Sequence, residues 1–101
     1  MKRYRVILLG RAKREYTIEI VWWRLHRQAA PTLLRDEFVA ARKLLATTPE
    51  AGSEYETDDG RKVRRYLLKE SRYWVYHRVD HEARALQFLS LWHTSKPPPA
   101  L

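Results

Sequence analysis

Gly60 to His93, GRKVRRYLLKESRYWVYHRVDHEARALQFLSLWH, is the stretch that decides how this chain folds. Within it Tyr73-Trp74-Val75-Tyr76-His77-Arg78-Val79 alternates as a pleated strand requires, since side chains two apart share a face. Lys69-Glu70 and Asp80-His81-Glu82 are short polar breaks spaced as tight turns. The segment therefore predicts three consecutive strands, Lys62 to Leu68, Ser71 to Val79 and Ala83 to Trp92, joined as a meander. It is also cationic. Arg61, Lys62, Arg64, Arg65, Lys69, Arg72 and Arg78 precede or thread the central strand, against the acid Glu70. A small sheet carrying that much positive charge faces polyanionic nucleic acid or an acidic protein partner.

Upstream, Pro49 to Gly60 reads as an acidic loop, with Gly52 and the turn signal Asp58-Asp59-Gly60. Before it the period is helical. Pro31 suits the first turn of a helix in which Leu34, Phe38, Ala41 and Leu45 recur at helical steps, until Thr47-Thr48-Pro49 ends it. A preceding helix from Arg11 carries two apolar stripes: Ala12, Tyr16, Ile20 and Trp23, and beside them Ile18, Val21, Trp22 and Leu25. The default expectation is that both pack inside the monomer. The alternative is that one of them, with Trp22 or Trp23, docks a partner protein. The short link Gln28 to Ala30 implies an antiparallel helical hairpin. The chain opens with a strand, Arg3 to Leu9, apolar on both sides, which suggests an interior position or cover on two faces. The order is β-α-α-β-β-β. It predicts an α+β fold with a helical hairpin on one face of a small, mostly antiparallel, four-stranded sheet.

A length of 101 residues supplies one core, so residues 1–93 are expected to form a single domain, followed by an extended Pro-rich tail at 94–101. The absence of cysteine excludes disulfides and thiolate metal sites, and no leader or apolar span is apparent, which together predict a cytoplasmic protein without a membrane partner. The net charge is +8, but residues 49–60 contribute −5, which leaves +13 on the rest of the chain. A body that basic attracts polyanions over roughly 10 Å at 0.1 M salt.

Enzyme signatures are sparse. The glycines at 10, 52 and 60 form no phosphate loop, and no serine sits in a nucleophile elbow. His77 and His81 are four apart, but in a strand and a turn with no third ligand, so no metal or cofactor is predicted. Metal-free RNA cleavage needs a phosphate clamp and groups that move protons. Arg64, Arg65, Arg72 and Arg78 are candidates for the clamp; His77, His93, Tyr73 and Tyr76 are candidates for the proton steps. Alternation puts Arg64 and Arg65 on opposite faces, so at most one of them lines a given surface. More broadly Arg61, Arg64, Arg65, Arg72, Arg78, His93 and Lys96 are the candidate target-binding or nucleic-acid-binding residues. No small-molecule substrate is indicated.

Several segments resemble, in order, the RelE/ParE toxins of bacterial type II toxin–antitoxin systems. Tyr4-Arg5-Val6 with Ala12 to Ile18 resembles that family's first strand and helix start, with Glu15 and Tyr16 in place of its acid and leucine. Leu45 to Gly52 matches an L-x-x-x-P-x-x-G that closes the hairpin. Arg64-Arg65-Tyr66 resembles the arginine strand, Tyr73 to Val79 the following one, and Phe88 to His93 the final strand ending in histidine. The resemblance implies a toxin neutralised by an acidic antitoxin encoded beside it, in a hetero-oligomer of up to a heterotetramer. Tyr16, Ile20, Trp22, Trp23 and Leu25 are the expected antitoxin-binding residues. RelE-like members, which cleave mRNA on the ribosome, carry a catalytic tyrosine near the end of the domain; here no tyrosine follows Tyr76. That favours the ParE-like branch, which interferes with DNA gyrase. The alternatives are an mRNA interferase using Arg64 or Arg65 with His77 or His93, and a non-enzymatic basic nucleic-acid-binding module.

Overall fold

Alternation becomes a sheet and helical periodicity becomes two helices in the computed structural model, which describes residues 3–101. The elements are β1 (Arg5–Leu8), α1 (Gly10–His26), α2 (Leu33–Thr47), β2 (Ser53–Glu56), β3 (Lys62–Leu68), β4 (Tyr73–Asp80) and β5 (Ala85–His93). The sheet order is β1-β5-β4-β3-β2, with β1 parallel to β5 and the remaining pairs antiparallel. The fold is thus α+β, but its sheet is five-stranded and mixed where the sequence predicts four strands.

The additional strand is β2, inside the predicted acidic loop. Ser-Glu-Tyr-Glu has a single apolar residue, so hydrophobic alternation gives it no signal. Its pairing is written in charge instead: Glu54 lies opposite Arg64 and Glu56 opposite Lys62. Gly52 makes the approach possible. Its φ is +93°, and a Cβ there would sit 2.3 Å from the Arg65 carbonyl oxygen. β1 is an edge strand rather than an interior one. Val6 and Leu8 pack on the core, Leu9 lies beside Leu89 and Leu101 on the opposite side, and Tyr4 N–H donates to Ala46 O at 2.7 Å.

One face of the sheet is covered by the helices. Tyr73, Val75, Leu86, Phe88 and Leu91 meet Ala12 and Trp23 from α1 and Leu34, Phe38, Ala41 and Leu45 from α2. Phe38 sits between Tyr16 (4.4 Å between ring centres) and Phe88 (5.7 Å). Burying side chains of this size is the largest favourable contribution to the fold, about 1.5–3 kcal/mol each. Pro31 lies just ahead of α2, in the turn whose Ala30 carbonyl accepts from Trp23 Nε1 at 2.9 Å. The β3–β4 turn is held by α2: Glu37 accepts from the amides of Glu70 (3.0 Å) and Ser71 (2.8 Å). Among the described residues no helix is long and apolar enough to cross a membrane.

Candidate functional site

The predicted cations are distributed over three places. On the sheet face away from the helices, Arg65 lies over the rings of Trp74 (4.1 Å) and Tyr55 (4.9 Å) and reaches Tyr76 Oη at 3.4 Å. Cation–π contact engages this guanidinium, while its Nε is buried with no hydrogen-bond partner. Arg78, on the same face, donates to Gln87 Oε1. Arg61 bridges Asp59 (3.0 Å) and the Leu101 carbonyl (2.6 Å). Asp59 is held below the usual carboxylate range by its hydrogen bonds from Thr57 and then Arg61.

The helix-covered side takes Arg64 and His77, which face each other across β3 and β4. Alternation does separate Arg64 from Arg65. Arg64 donates to Gly52 O at 3.1 Å and stands 3.9 Å from Glu54. His77 is 0% exposed, with Nδ1 3.3 Å from Val75 O and Nε2 without a partner. Burial is the main cause that pushes its pKa down, which favours the neutral imidazole. His81, its neighbour at helical spacing, stands in the β4–β5 turn between Tyr4 Oη (2.6 Å) and Glu50 (2.7 Å).

The third place is a cleft of about 370 Å³ lined by Glu19, Trp22, Arg27, Tyr73, His93, Ser95 and Lys96. Tyr73 donates its hydroxyl to Glu19 Oε1 at 2.6 Å. Burial, and then that carboxylate, raise the Tyr73 pKa above the ordinary phenol range. The Tyr73 and His93 rings meet edge to face at 4.8 Å. Ser95 N–H donates to His93 Nδ1 at 3.0 Å, so that nitrogen is the acceptor and Nε2 carries the proton. Burial, followed by the nearby cations Lys96, Arg27 and Arg72 against the opposing pull of Glu19, lowers the His93 pKa. Two cations, a neutral imidazole N–H and a tethered carboxylate in one recess can hold an anion and exchange a proton with it. Arg72 stands on the rim, in the β3–β4 turn, with a left-handed φ of 68°.

Of the proton-transfer residues predicted from sequence, the structure therefore gathers His93 and Tyr73, joined by Lys96 from the predicted target-binding set. Arg64 and His77 lie on the helix-covered side, and Arg61, Arg65 and Arg78 lie on the opposite one. Sequence reading missed Glu19, Arg27 and Ser95. Glu19 falls on α1 one turn after Glu15, and Glu15 accepts from Ser90 Oγ (2.7 Å) and Leu91 N–H (3.1 Å) where β5 bulges. A pair of acids on the sheet side of a basic helix was the available signal.

α1 presents a fourth candidate surface. Trp23 is core at 7% exposure, and Tyr16 and Ile20 pack against that core. Ile18 (63%), Val21 (42%), Trp22 (39%) and Leu25 (60%) are exposed on the opposite side of the helix. The two apolar stripes therefore have different fates, and the default expectation that both are buried is corrected. Within the predicted antitoxin-binding set, Trp22 and Leu25 lie on this surface, while Tyr16, Ile20 and Trp23 face inward. Trp22 is stacked on His26 at 4.5 Å and carries Arg27 over its ring at 5.0 Å. Comparison of the sequence with models of known protein families gives no match, and no curated protein matches it either.

Proposed function

We propose that this chain is the toxin of a type II toxin–antitoxin pair, and that it inhibits growth by ParE-like interference with DNA gyrase. The observation that carries the reading is the outward stripe Ile18, Val21, Trp22 and Leu25 on a strongly basic body. A row of four exposed apolar residues at helical spacing, flanked by Arg14 and Arg24, suits an acidic amphipathic segment. The order of elements, with a helical hairpin closed at Pro49 and followed by an arginine-bearing sheet, supports the family resemblance. Action through surfaces is supported by the separation of the neighbouring pair Arg64 and His77 from Arg65, on the opposite face, and from His93, in the cleft by α1.

Inducing the chain without its genomic neighbour is expected to arrest growth, trigger the DNA damage response and block supercoiling by purified gyrase. Co-expressing a small acidic neighbour should relieve all three. Trp22→Ala should weaken that complex by about 2 kcal/mol and change the free protein's stability by less than about 0.5 kcal/mol. Normal growth and normal supercoiling after induction would remove the reading.

A second reading, a ribosome-dependent mRNA interferase, is favoured by the cleft that brings Tyr73, His93, Arg27 and Lys96 together. It requires cut messages on ribosomes, and their disappearance in His93→Ala. A simple nucleic-acid binder would give neither phenotype, only a steep loss of affinity with salt.

A further inference from the structure

We propose that the sheet face around Trp92 is a polyproline-recognition groove, which the chain fills with its own residues 95–101 and which takes a proline-rich extended peptide in trans. Past His93 the backbone turns, with Lys96 N–H donating to His93 O at 3.2 Å, and runs back across the side of the sheet that the helices leave open. Trp92 Nε1–H donates to the Pro97 carbonyl at 2.8 Å, and the Lys96 ammonium lies 4.9 Å from the indole centre. Pro99 is buried while Pro97 and Pro98 are exposed. Ala100 O accepts from Arg11 Nη1, and Leu101 O from Arg61 Nη2 at 2.6 Å. Leu101 lines a hollow of about 260 Å³ with Leu9, Val63 and Leu89.

These contacts have the logic of polyproline recognition. A polyproline strand makes no internal hydrogen bonds, so its carbonyls are free for outside donors, and its stiffness lowers the entropy of docking. Pro97, Pro98 and Pro99 have no N–H, so the segment cannot join the sheet as a strand and must be held through carbonyls and rings. The donors belong to fixed elements: Trp92 to β5, Arg11 to α1, and Arg61 to the approach to β3. Charge alone would point to a polyanion, but the groups held here are the main-chain oxygens of Pro97, Ala100 and Leu101 and a buried proline. The short tether gives the internal copy an effective concentration of about 1 mM, so an external peptide meets a competitor already in place. This inference does not depend on the toxin reading.

The probe is the synthetic heptapeptide Ser-Lys-Pro-Pro-Pro-Ala-Leu, labelled with fluorescein and followed by anisotropy. It is titrated with two full-length proteins: the native chain, and one carrying Pro97→Gly, Pro98→Gly and Pro99→Gly, which retains every charge. The loosened chain should bind the peptide at least about tenfold more tightly than the native chain. Adding Trp92→Phe to it should weaken binding by about fivefold, the effect of one lost hydrogen bond. Equal affinity for both chains overturns the proposal. So does equal affinity for a peptide with glycines in place of the prolines, which would mean charge attraction only. Tighter binding of a single-stranded oligonucleotide but not of the peptide also overturns it, making the face a polyanion surface. If the loosened chain fails to fold, the native chain decides. Unlabelled peptide well above about 1 mM should move the amide resonances of Lys96, Ala100 and Leu101 to random-coil positions, and resonances that stay in place reject the groove.

Discussion

The two faces of the sheet are covered by different means. On one, two helices press an aromatic and aliphatic layer onto Tyr73, Val75, Phe88 and Leu91. On the other, Arg65 lies across Trp74 and Tyr55, Arg78 grips Gln87, and residues 95–101 cross the rest. The first face relies on apolar area removed from water. The second relies on cations that flatten onto rings and on donors that find carbonyls. The contrast explains how a chain with a net charge of +8 builds a sheet without an apolar cover on both sides: its cations serve as that cover.

The sharpest break of the comparison is a deletion on the helix side. Phe38→Ala empties the space between Tyr16 and Phe88 and is expected to cost about 3–5 kcal/mol in denaturant unfolding. Next comes Gly52→Ala, where the left-handed backbone and the Arg65 carbonyl oppose a methyl group. A loss of about 2 kcal/mol is expected, with the amides of Ser53 to Glu56 losing hydrogen-exchange protection first. On the open face Arg65→Ala should cost about 1 kcal/mol. Arg65→Lys should recover less than half of that, because an ammonium cannot stack between Trp74 and Tyr55. Full recovery by lysine would reduce this face to simple charge.

The gentlest test is pH. His77 and His93 both have folded-state pKa values below the ordinary histidine value of about 6.5, so the unfolded chain binds protons that the folded chain refuses. Stability should be full above about pH 6.5. It should fall as pH drops from there towards the folded-state values, and level off below them. His77→Gln should flatten the slope by removing the helix-side contribution, whereas His93→Gln should flatten it less, since His93 is only partly buried. An unchanged melting temperature from pH 7.5 to pH 5 would contradict both assignments.

Much of this was legible because periodicity reports burial. Leu34, Phe38, Ala41 and Leu45 form the inner stripe of α2 as their spacing predicts, and β3, β4 and β5 lie within a few residues of their predicted bounds. Periodicity does not say which of two apolar stripes turns inward. Trp22 and Trp23 are adjacent and chemically identical, and only the sheet beneath α1 decides that Trp23 is core. β2 escaped because an edge strand held by cross-strand charge has no apolar alternation to read. β1 looked interior because the run is apolar on both sides, and Leu9, just past its end, lines a hollow with Leu89 and Leu101 from the far end of the sequence. The Glu19, Tyr73 and His93 cleft was hidden for a related reason: its members come from α1, β4 and β5, and only folding brings them together.

The parallel pairing of β1 with β5 also governs how the chain reaches its native state. Arg5 N–H donates to Arg84 O at 2.9 Å, and Arg5 faces Ala85, so the first strand made has one of the last as its partner. At a synthesis rate of about 5–20 residues per second, that partner follows roughly 4–16 s later. During that interval the apolar strand Val6-Ile7-Leu8-Leu9 and the inner stripe of α1 lack the sheet that they pack on in the native fold. Closure of the loop between them is a late and slow event, as expected for contacts so distant in sequence.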